Sequence, residues 1–523
     1  MKIQQTERTR REFLTEVGRG MVTATVGFAM AGELGLSSAG ASESSDRLEF
    51  GRLEPLVRLM QDTPADRLLP ALVEKLRGGV ALKELVAAAA LANARSFGGE
   101  DYVGFHTMMA LAPGWHMAQE LPEEQRPLPV FKVLYRNTSR IQESGANHRE
   151  VLHPVAPDAR PTGPSGGAWL RAAVQSKDPL RAEAAFAALA QPSTEDAFND
   201  LLEVVQDQSD VHRIVLPYRA WDLLGIIGRE QAQTLLRQSV RYCVKAENWQ
   251  GGGPARDPAT ILPKLLEEHK LLGRQAGNRP ADDAWVEKMS QLIFTSTPAQ
   301  AAAAVAEALA EGMSPTALGE AISLAANQLI LRDHGRTPSD EVAGKPIGSV
   351  HGDSIGVHAC DSANAWRNLA RVGNARNVFA SLILGAHQAS LDRTQRGGDF
   401  AHWAPLPLGS HLAGVAGQEP AVLLKELESA VRGNLQARAM AVTQRYLALA
   451  HPSRDVFALL LRYAISEDGS LHAEKFYRTN REEYAAARPV FRDRYLVALA
   501  RVTASEFGRP AAGVAEARTL LGV

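Results

Sequence analysis

Apolar residues along this chain recur mostly three and four positions apart, the period of a helix packed on one side. Leu53, Leu56, Leu59 and Met60 make one such stripe. Asp62-Thr63-Pro64-Ala65 then predicts a turn, with Asp or Thr as N-cap and the proline in the first turn of the next helix. Between Gly79 and Ala92, Leu85, Ala88 and Leu91 fall at helical spacing, and the alanines around them let neighbouring helices approach closely. Alternating strand patterns are scarce throughout, so the expected fold class is all-α.

The pattern then returns. Ala188-Leu189-Ala190-Gln191-Pro192-Ser193 reappears as Ala448-Leu449-Ala450-His451-Pro452-Ser453, an offset of 260 residues, and His212 meets His472 at the same offset. Gly79 to Ala92 lies over Gly312 to Ala325 at an offset of 233, and His106 meets His358 at 252. The step from 233 to 252 places a 19-residue insertion in the second copy, supplied by the Gly/Pro/Ser/Asp-rich stretch Asp333 to Asp353. A period this long is domain duplication, not a solenoid repeat. The expected architecture is two duplicated helical halves about a pseudo-twofold axis. The divisions are 1–41, a polar tether 42–52, copy one 53–242, a connecting segment 243–285 and copy two 286–523.

Composition narrows the function classes. The chain is 45% apolar and only 6% aromatic, which suits packed helices. A net charge of −2 gives no polyelectrolyte signature, so nucleic acid is not an expected partner. Two cysteines in 523 residues are no disulfide framework. At the N-terminus, Thr9-Arg10-Arg11-Glu12-Phe13-Leu14-Thr15 matches the twin-arginine export pattern. A Gly/Ala-rich apolar run from Val17 to Leu36 follows, then an Ala-x-Ala cleavage site at Ala39-Gly40-Ala41. Residues 1–41 therefore read as a twin-arginine signal peptide, with the bacterial export machinery as partner and a periplasmic or secreted destination. The apolar run is too short and polar to span a membrane permanently, and no later stretch qualifies.

No HExxH, CxxC, Walker A or GxSxG motif is present, so the histidines carry the candidate chemistry. There are 14, and two halves with five or six each would share well under one matched position by chance. Two clear matches, His106 with His358 and His212 with His472, point to a shared role. One reading is structural, each histidine bracing a helix in both copies. The other is that imidazoles from facing helices converge as metal ligands or acid/base groups. Copy two is the richer, with His351, Asp353, Asp361 and Asn364 around His358. His358 and Asp361 stand three apart and share a helix face, so the carboxylate could orient the imidazole or bind beside it. Met109 occupies the corresponding place in copy one. The candidate catalytic residues are His358, Asp361 and His472. The candidate metal ligands are His106, His212, His351, His358 and His472, with a transition metal as the cofactor class they admit.

Three local patterns resemble the questin oxidase-like family: Phe105-His106 leading an Ala-rich helix, its echo Val357-His358, and the His-led helices at His212-Arg213-Ile214-Val215 and His472-Ala473-Glu474-Lys475. A His-x-x-Lys start like the family's stands at His472 and Lys475, while Val215 replaces the lysine in copy one. The resemblance implies an all-α fold, a histidine-lined cavity and an oxidative reaction. Fungal members open anthraquinone rings by a Baeyer–Villiger-type oxidation with NADPH. The resulting expectation is an exported helical enzyme acting oxidatively on a small organic substrate. The alternative is a non-catalytic periplasmic scaffold or ligand-binding protein.

Overall fold

Two helices are enclosed on every side along most of their length, their few polar side chains included. Every residue from Leu85 to Phe97 is buried in the helix Leu82–Phe97, and every residue from Ala317 to Leu331 in the helix Pro315–Arg332. A helix with no polar face has only the interior to occupy, and these are the two alanine-rich segments that the sequence places at core positions. The computed structural model describes residues 47–523 except 147, 249–253, 342, 344–345, 351–353 and 395–399. Within them the fold is all-α, and the only bridges are the isolated pairs Arg279–Met313 and Glu467–Pro510. No helix among the described residues is long and apolar enough to cross a membrane. The twin-arginine pair, its apolar run, the cleavage site and His351 lie outside the described residues.

Each central helix packs against one that bears a matched histidine: Leu82–Phe97 against Tyr102–Gln119, which carries His106, and Pro315–Arg332 against Ile355–Val372, which carries His358. His212 lies on Val211–Ile227 and His472 on His472–Ala486. These four helices close a ring of contacts. The His106 and His358 helices each touch both the His212 helix and the His472 helix. Segments 48–242 and 286–523 thus share one core, and Leu48–Val523 packs as a single unit.

Two local features fix how the His106 helix sits. Gly104 lies where a Cβ would fall 2.5 Å from the Phe97 ring, so only glycine lets this helix approach its neighbour so closely. Asn93 then reaches across, donating to the Gly104 carbonyl at 2.8 Å and to Thr107 Oγ1 at 2.8 Å. The expected turn at Thr63-Pro64 is present but shifted by one residue. The helix begins at Ala65 with no side-chain cap, whereas in the echo Thr297 receives Gln300 N and the helix begins at Pro298.

A buried ion pair holds the His472 helix from outside the ring. Lys132 Nζ lies 2.6 Å from Glu474 Oε1, with both side chains buried. The same ammonium donates to the carbonyls of Ala464 at 2.8 Å and Glu467 at 2.6 Å, at the C-terminal end of the helix Ser453–Ser466. Lys132→Met should leave Glu474 buried without its cation and cost about 3–5 kcal/mol of stability. Urea unfolding would measure this, and a loss below about 1 kcal/mol would mean that Glu474 finds other compensation.

Candidate functional site

The four matched histidines meet. Ring centroids are 4.8 Å apart for His106 and His212, 5.8 Å for His212 and His358, 5.1 Å for His358 and His472, and 5.1 Å for His472 and His106. The imidazoles form a closed four-membered cycle. Each stands in the first turns of its helix: His472 is the first residue, His212 the second, His358 the fourth and His106 the fifth. The N-terminal ends of four helices therefore point at one place.

The helix starts explain why. Asp101 caps the His106 helix by accepting from Gly104 N at 2.7 Å, and Asp210 caps the His212 helix by accepting from Arg213 N at 2.8 Å. Ser354 caps the His358 helix by accepting from Val357 N at 3.3 Å. Asp and Ser are strong N-cap residues, so these starts are written locally in the sequence. The fourth start differs. Ser470 and Leu471 take left-handed backbone, at φ 52° and 65°, and no side chain caps the helix. Such conformations cost of order 1–3 kcal/mol in a non-glycine residue and gather at functional sites. Here they place the Ser470 carbonyl 3.0 Å from His472 Nδ1.

That contact sets a tautomer. His472 Nδ1 donates to Ser470 O, and His106 Nδ1 donates to Tyr102 O at 2.7 Å. With the proton on Nδ1, the Nε2 of each ring carries the lone pair. His358 Nε2 and His472 Nε2 are 3.1 Å apart, so His358 donates and His472 accepts. His106 Nε2 and His212 Nε2 are buried without a hydrogen-bond partner. Among the described residues, no group of three or more His, Cys, Asp or Glu side chains is already disposed to hold a metal ion. The rings adjoin, but in this arrangement they form a hydrogen-bonded cluster rather than a finished coordination shell.

Burial favours the neutral form of three of the four imidazoles. The pKa of His106 is driven well below 6.5, first by desolvation and then by Lys475 and the neighbouring imidazoles. His472 is driven down in the same way. Burial lowers His212 to about 4, against a partial opposing pull from Asp210.

Behind the cycle runs a polar seam. His472, Lys475, Thr479 and Glu482 fall three or four apart on one helix and so share a face. Lys475 is 2% exposed, and burial lowers its pKa to about 8 despite the nearby carboxylates of Asp361 and Glu474. Asp361 is also buried, and desolvation raises its pKa against the pull of Lys475 and Arg219. Its Oδ1 accepts from Thr479 Oγ1 at 2.8 Å, and Thr479 Oγ1 in turn accepts a long contact of 3.4 Å from Arg219 Nη2. Farther along, Glu482 accepts from Asn364 at 2.8 Å and pairs with Arg478 at 2.6 Å. The seam opens at a surface pocket of about 460 Å³ whose lining includes Glu120, Arg371, Arg478 and Arg481.

Five of the six sequence candidates are placed by the structure. His106, His212, His358 and His472 are together. Asp361 stands one turn beyond His358, engaged with Thr479 and the charges of Lys475 and Arg219. The unmatched histidines fall elsewhere: His387 Nδ1 meets Ser209 Oγ at 3.1 Å, and His116 Nε2 meets Asp222 at 3.3 Å. His153 and His402 are exposed and outside the cycle. Arg241 and Tyr242 act as braces: Arg241 pairs with Glu100 and Glu183, and Tyr242 donates to Asp210 at 2.7 Å. Sequence reasoning missed Arg219 and Tyr102. Arg219 lies two helical turns beyond His212, a spacing that a search along each histidine's own helix face would have found.

The neutral histidines make acid stability predictable. A histidine whose folded pKa is depressed contributes stability that is complete above its unfolded value near 6.5 and is lost as pH falls toward the folded value. For His212 this amounts to about 1.4 kcal/mol per pH unit between 6.5 and about 4. His106, His472 and His387 act in the same direction. Asp392, raised to about 8, and Asp200, raised to about 6, oppose them, because a raised carboxyl loses stability as pH rises. Glu183, Asp207, Glu320, Asp361 and Asp493 are raised as well and act with Asp392 and Asp200, so the contribution of His212 is read by difference against His212→Ala. On going from pH 6.5 to pH 5, the chelator-treated parent should lose more urea resistance than chelator-treated His212→Ala, and an equal change in both would mean that His212 titrates in the fold as it does unfolded.

No known protein family, curated protein or solved structure matches this chain.

Proposed function

We propose that this chain is an exported helical enzyme whose four histidines hold a transition metal ion and act oxidatively on a small organic substrate. The observation that carries the reading is the cycle of four imidazoles, two of them with Nδ1 fixed on backbone carbonyls and so with Nε2 free of its proton. Metal-bound histidines ordinarily donate their other ring nitrogen to a carbonyl or carboxylate in this way. Imidazole ligands suit zinc, copper, iron and nickel. Nitrogens about 2.0–2.1 Å from a shared ion correspond to ring centroids roughly 5 Å apart, a spacing the cycle already has. Small rotations of the rings would complete the shell, and His358 would move its proton from Nε2 to Nδ1. In this reading His358 and His472 are ligands at the reacting centre, His106 and His212 complete the set, and Asp361 with Lys475 balances charge behind it. The oxidative character rests on the likeness to questin oxidase-like proteins.

Duplication accounts for the arrangement. His106 and His358 occupy 18-residue helices at nearly equal places, and their sequence echoes stand opposite one another around the cycle, as a pseudo-twofold axis would put them. Export through the twin-arginine route would suit a protein that folds around its metal before it leaves the cytoplasm.

A second reading has its own observation. Carbonyl contacts at His106 and His472 also serve a bracing role, and no three ligands are in place for an ion. A non-catalytic scaffold would have both features. Elemental analysis of protein purified from its native host separates the readings: the metal reading expects about one transition metal ion per chain. His358→Ala or His212→Ala should remove the ion while the far-UV spectrum stays helical. Metal-free protein from the native host, with no uptake of iron, copper or zinc on titration, would leave the scaffold reading.

The export reading has a separate test. Arg10→Lys/Arg11→Lys should leave the protein in the cytoplasm with residues 1–41 attached. Normal appearance of that variant outside the cytoplasm would reject a twin-arginine route.

A further inference from the structure

Lys475 is 2% exposed, and among the described residues it makes no hydrogen bond and no ion pair. The two carboxylates within its electrostatic reach are engaged by other groups, Glu474 by Lys132 at 2.6 Å and Asp361 by Thr479 at 2.8 Å. A buried amine without an acceptor is destabilising, and such groups are few in a folded protein. Lys475 stands one helical turn from His472 on the same face. Its charge opposes protonation of His106, His212 and His472 alike, so it lies close to all three. His106 supplies a complement. Its Nδ1 donates to the Tyr102 carbonyl, which leaves Nε2 as a base, and that nitrogen is buried with no hydrogen-bond partner. An unpartnered amine and an unpartnered base therefore occur in one cluster. The cluster comes nearest the surface at His212 and His358, which are half-buried and whose rings, 5.8 Å apart, make the widest step of the cycle.

An amine out of water is held toward its neutral form, and the neutral form is the nucleophile. Burial lowers Lys475 to about 8, so at pH 7 its share of neutral amine is on the order of a hundred times that of an exposed lysine. We propose that Lys475 is a nucleophile that captures a small aldehyde or ketone as an imine, with His106 moving the protons. The inference goes beyond the metal reading and does not rest on it.

Neutral Nζ attacks the carbonyl carbon, forming a C–N bond while the carbonyl π pair moves to oxygen. His106 Nε2 takes a proton from the nitrogen and returns it to that oxygen, giving the carbinolamine. A second transfer through His106 moves the remaining N–H proton to the hydroxyl. The C–O bond breaks, water leaves, and the electron pair on nitrogen closes the C=N bond. One amine and one carbonyl compound give one imine and one water, with no change of oxidation state and no outside reagent. Both groups are buried, which keeps bulk water from competing for the carbinolamine and limits the substrate to a small carbonyl compound entering on the His212 and His358 side.

The test treats the full chain with chelator, then with acetaldehyde and sodium borohydride at pH 7, and maps the ethylated lysines by peptide mass spectrometry. Borohydride reduces the imine to a stable secondary amine, so each ethyl group marks a lysine that captured the aldehyde. The expected result is ethylation of Lys475 about tenfold or more faster than of the exposed Lys83 and Lys264, an advantage that disappears in urea-unfolded protein. Lys475→Arg keeps a cation beside Asp361 and forms no imine, so it should lose that one site while its circular dichroism stays helical. In the parent protein, ethylation of Lys475 no faster than of Lys264, or a preference for Lys475 that persists after unfolding, would overturn the proposal. Chelation beforehand makes the outcome independent of any metal. A failure here would therefore leave the metal reading standing, and metal-free protein from the native host would leave the imine proposal standing.

Discussion

The rest of the structure depends on packing four imidazoles against one another, two of them buried and two half-buried. An imidazole out of water needs a partner for each nitrogen or it pays for the lost hydration. Two of the four meet half of that need with a backbone carbonyl, from Tyr102 and from Ser470. The carbonyl of Ser470 is in place only because Ser470 and Leu471 accept left-handed backbone, a local cost that the packing around the His472 helix sustains. Two Nε2 atoms, on His106 and His212, remain without a partner. The fold carries this expense at one point, where four helix starts converge.

The positive ends of four helices at one site disfavour protonated histidine there, which adds to the effect of burial. Three of those ends are tempered by their caps, Asp101, Asp210 and Ser354. Along the seam behind the cycle, cation and anion alternate: Lys475, Asp361, Arg219, Glu482 and Arg478. Lys475, Asp361 and Arg219 are deep enough that removing one would strand its neighbours, while Glu482 and Arg478 lie nearer the surface. The seam therefore ties the orientation of the His358 and His472 helices to that of the His212 helix through charge as well as through apolar packing.

Reading the chain against itself brought out the four residues that meet. His106 with His358, and His212 with His472, stand at repeated places in a sequence with few histidines, so their pairing is visible in the spacing. Helix starts were readable where a capping residue marks them, as at Thr297 and Ser354. The His472 helix has no such mark, because backbone conformation rather than a side chain begins it. Asp361 was singled out from the three-residue spacing to His358, but that spacing gives a shared face and not a partner. Thr479, Lys475 and Arg219 come to it from other helices.

What the sequence determined by itself is the helical period, the core helices within Gly79 to Ala92 and Gly312 to Ala325, and which histidines recur beside similar residues. These follow from residue spacing, which fixes the face of a helix on which each side chain lies. What only the tertiary structure decided is adjacency: that the four histidines close into one cycle, and that Lys475 and Arg219 line the seam behind it. Those residues lie up to a few hundred positions apart. Their meeting is set by how one helix crosses another, and that depends on contacts distributed along both helices, not on any local run of the chain.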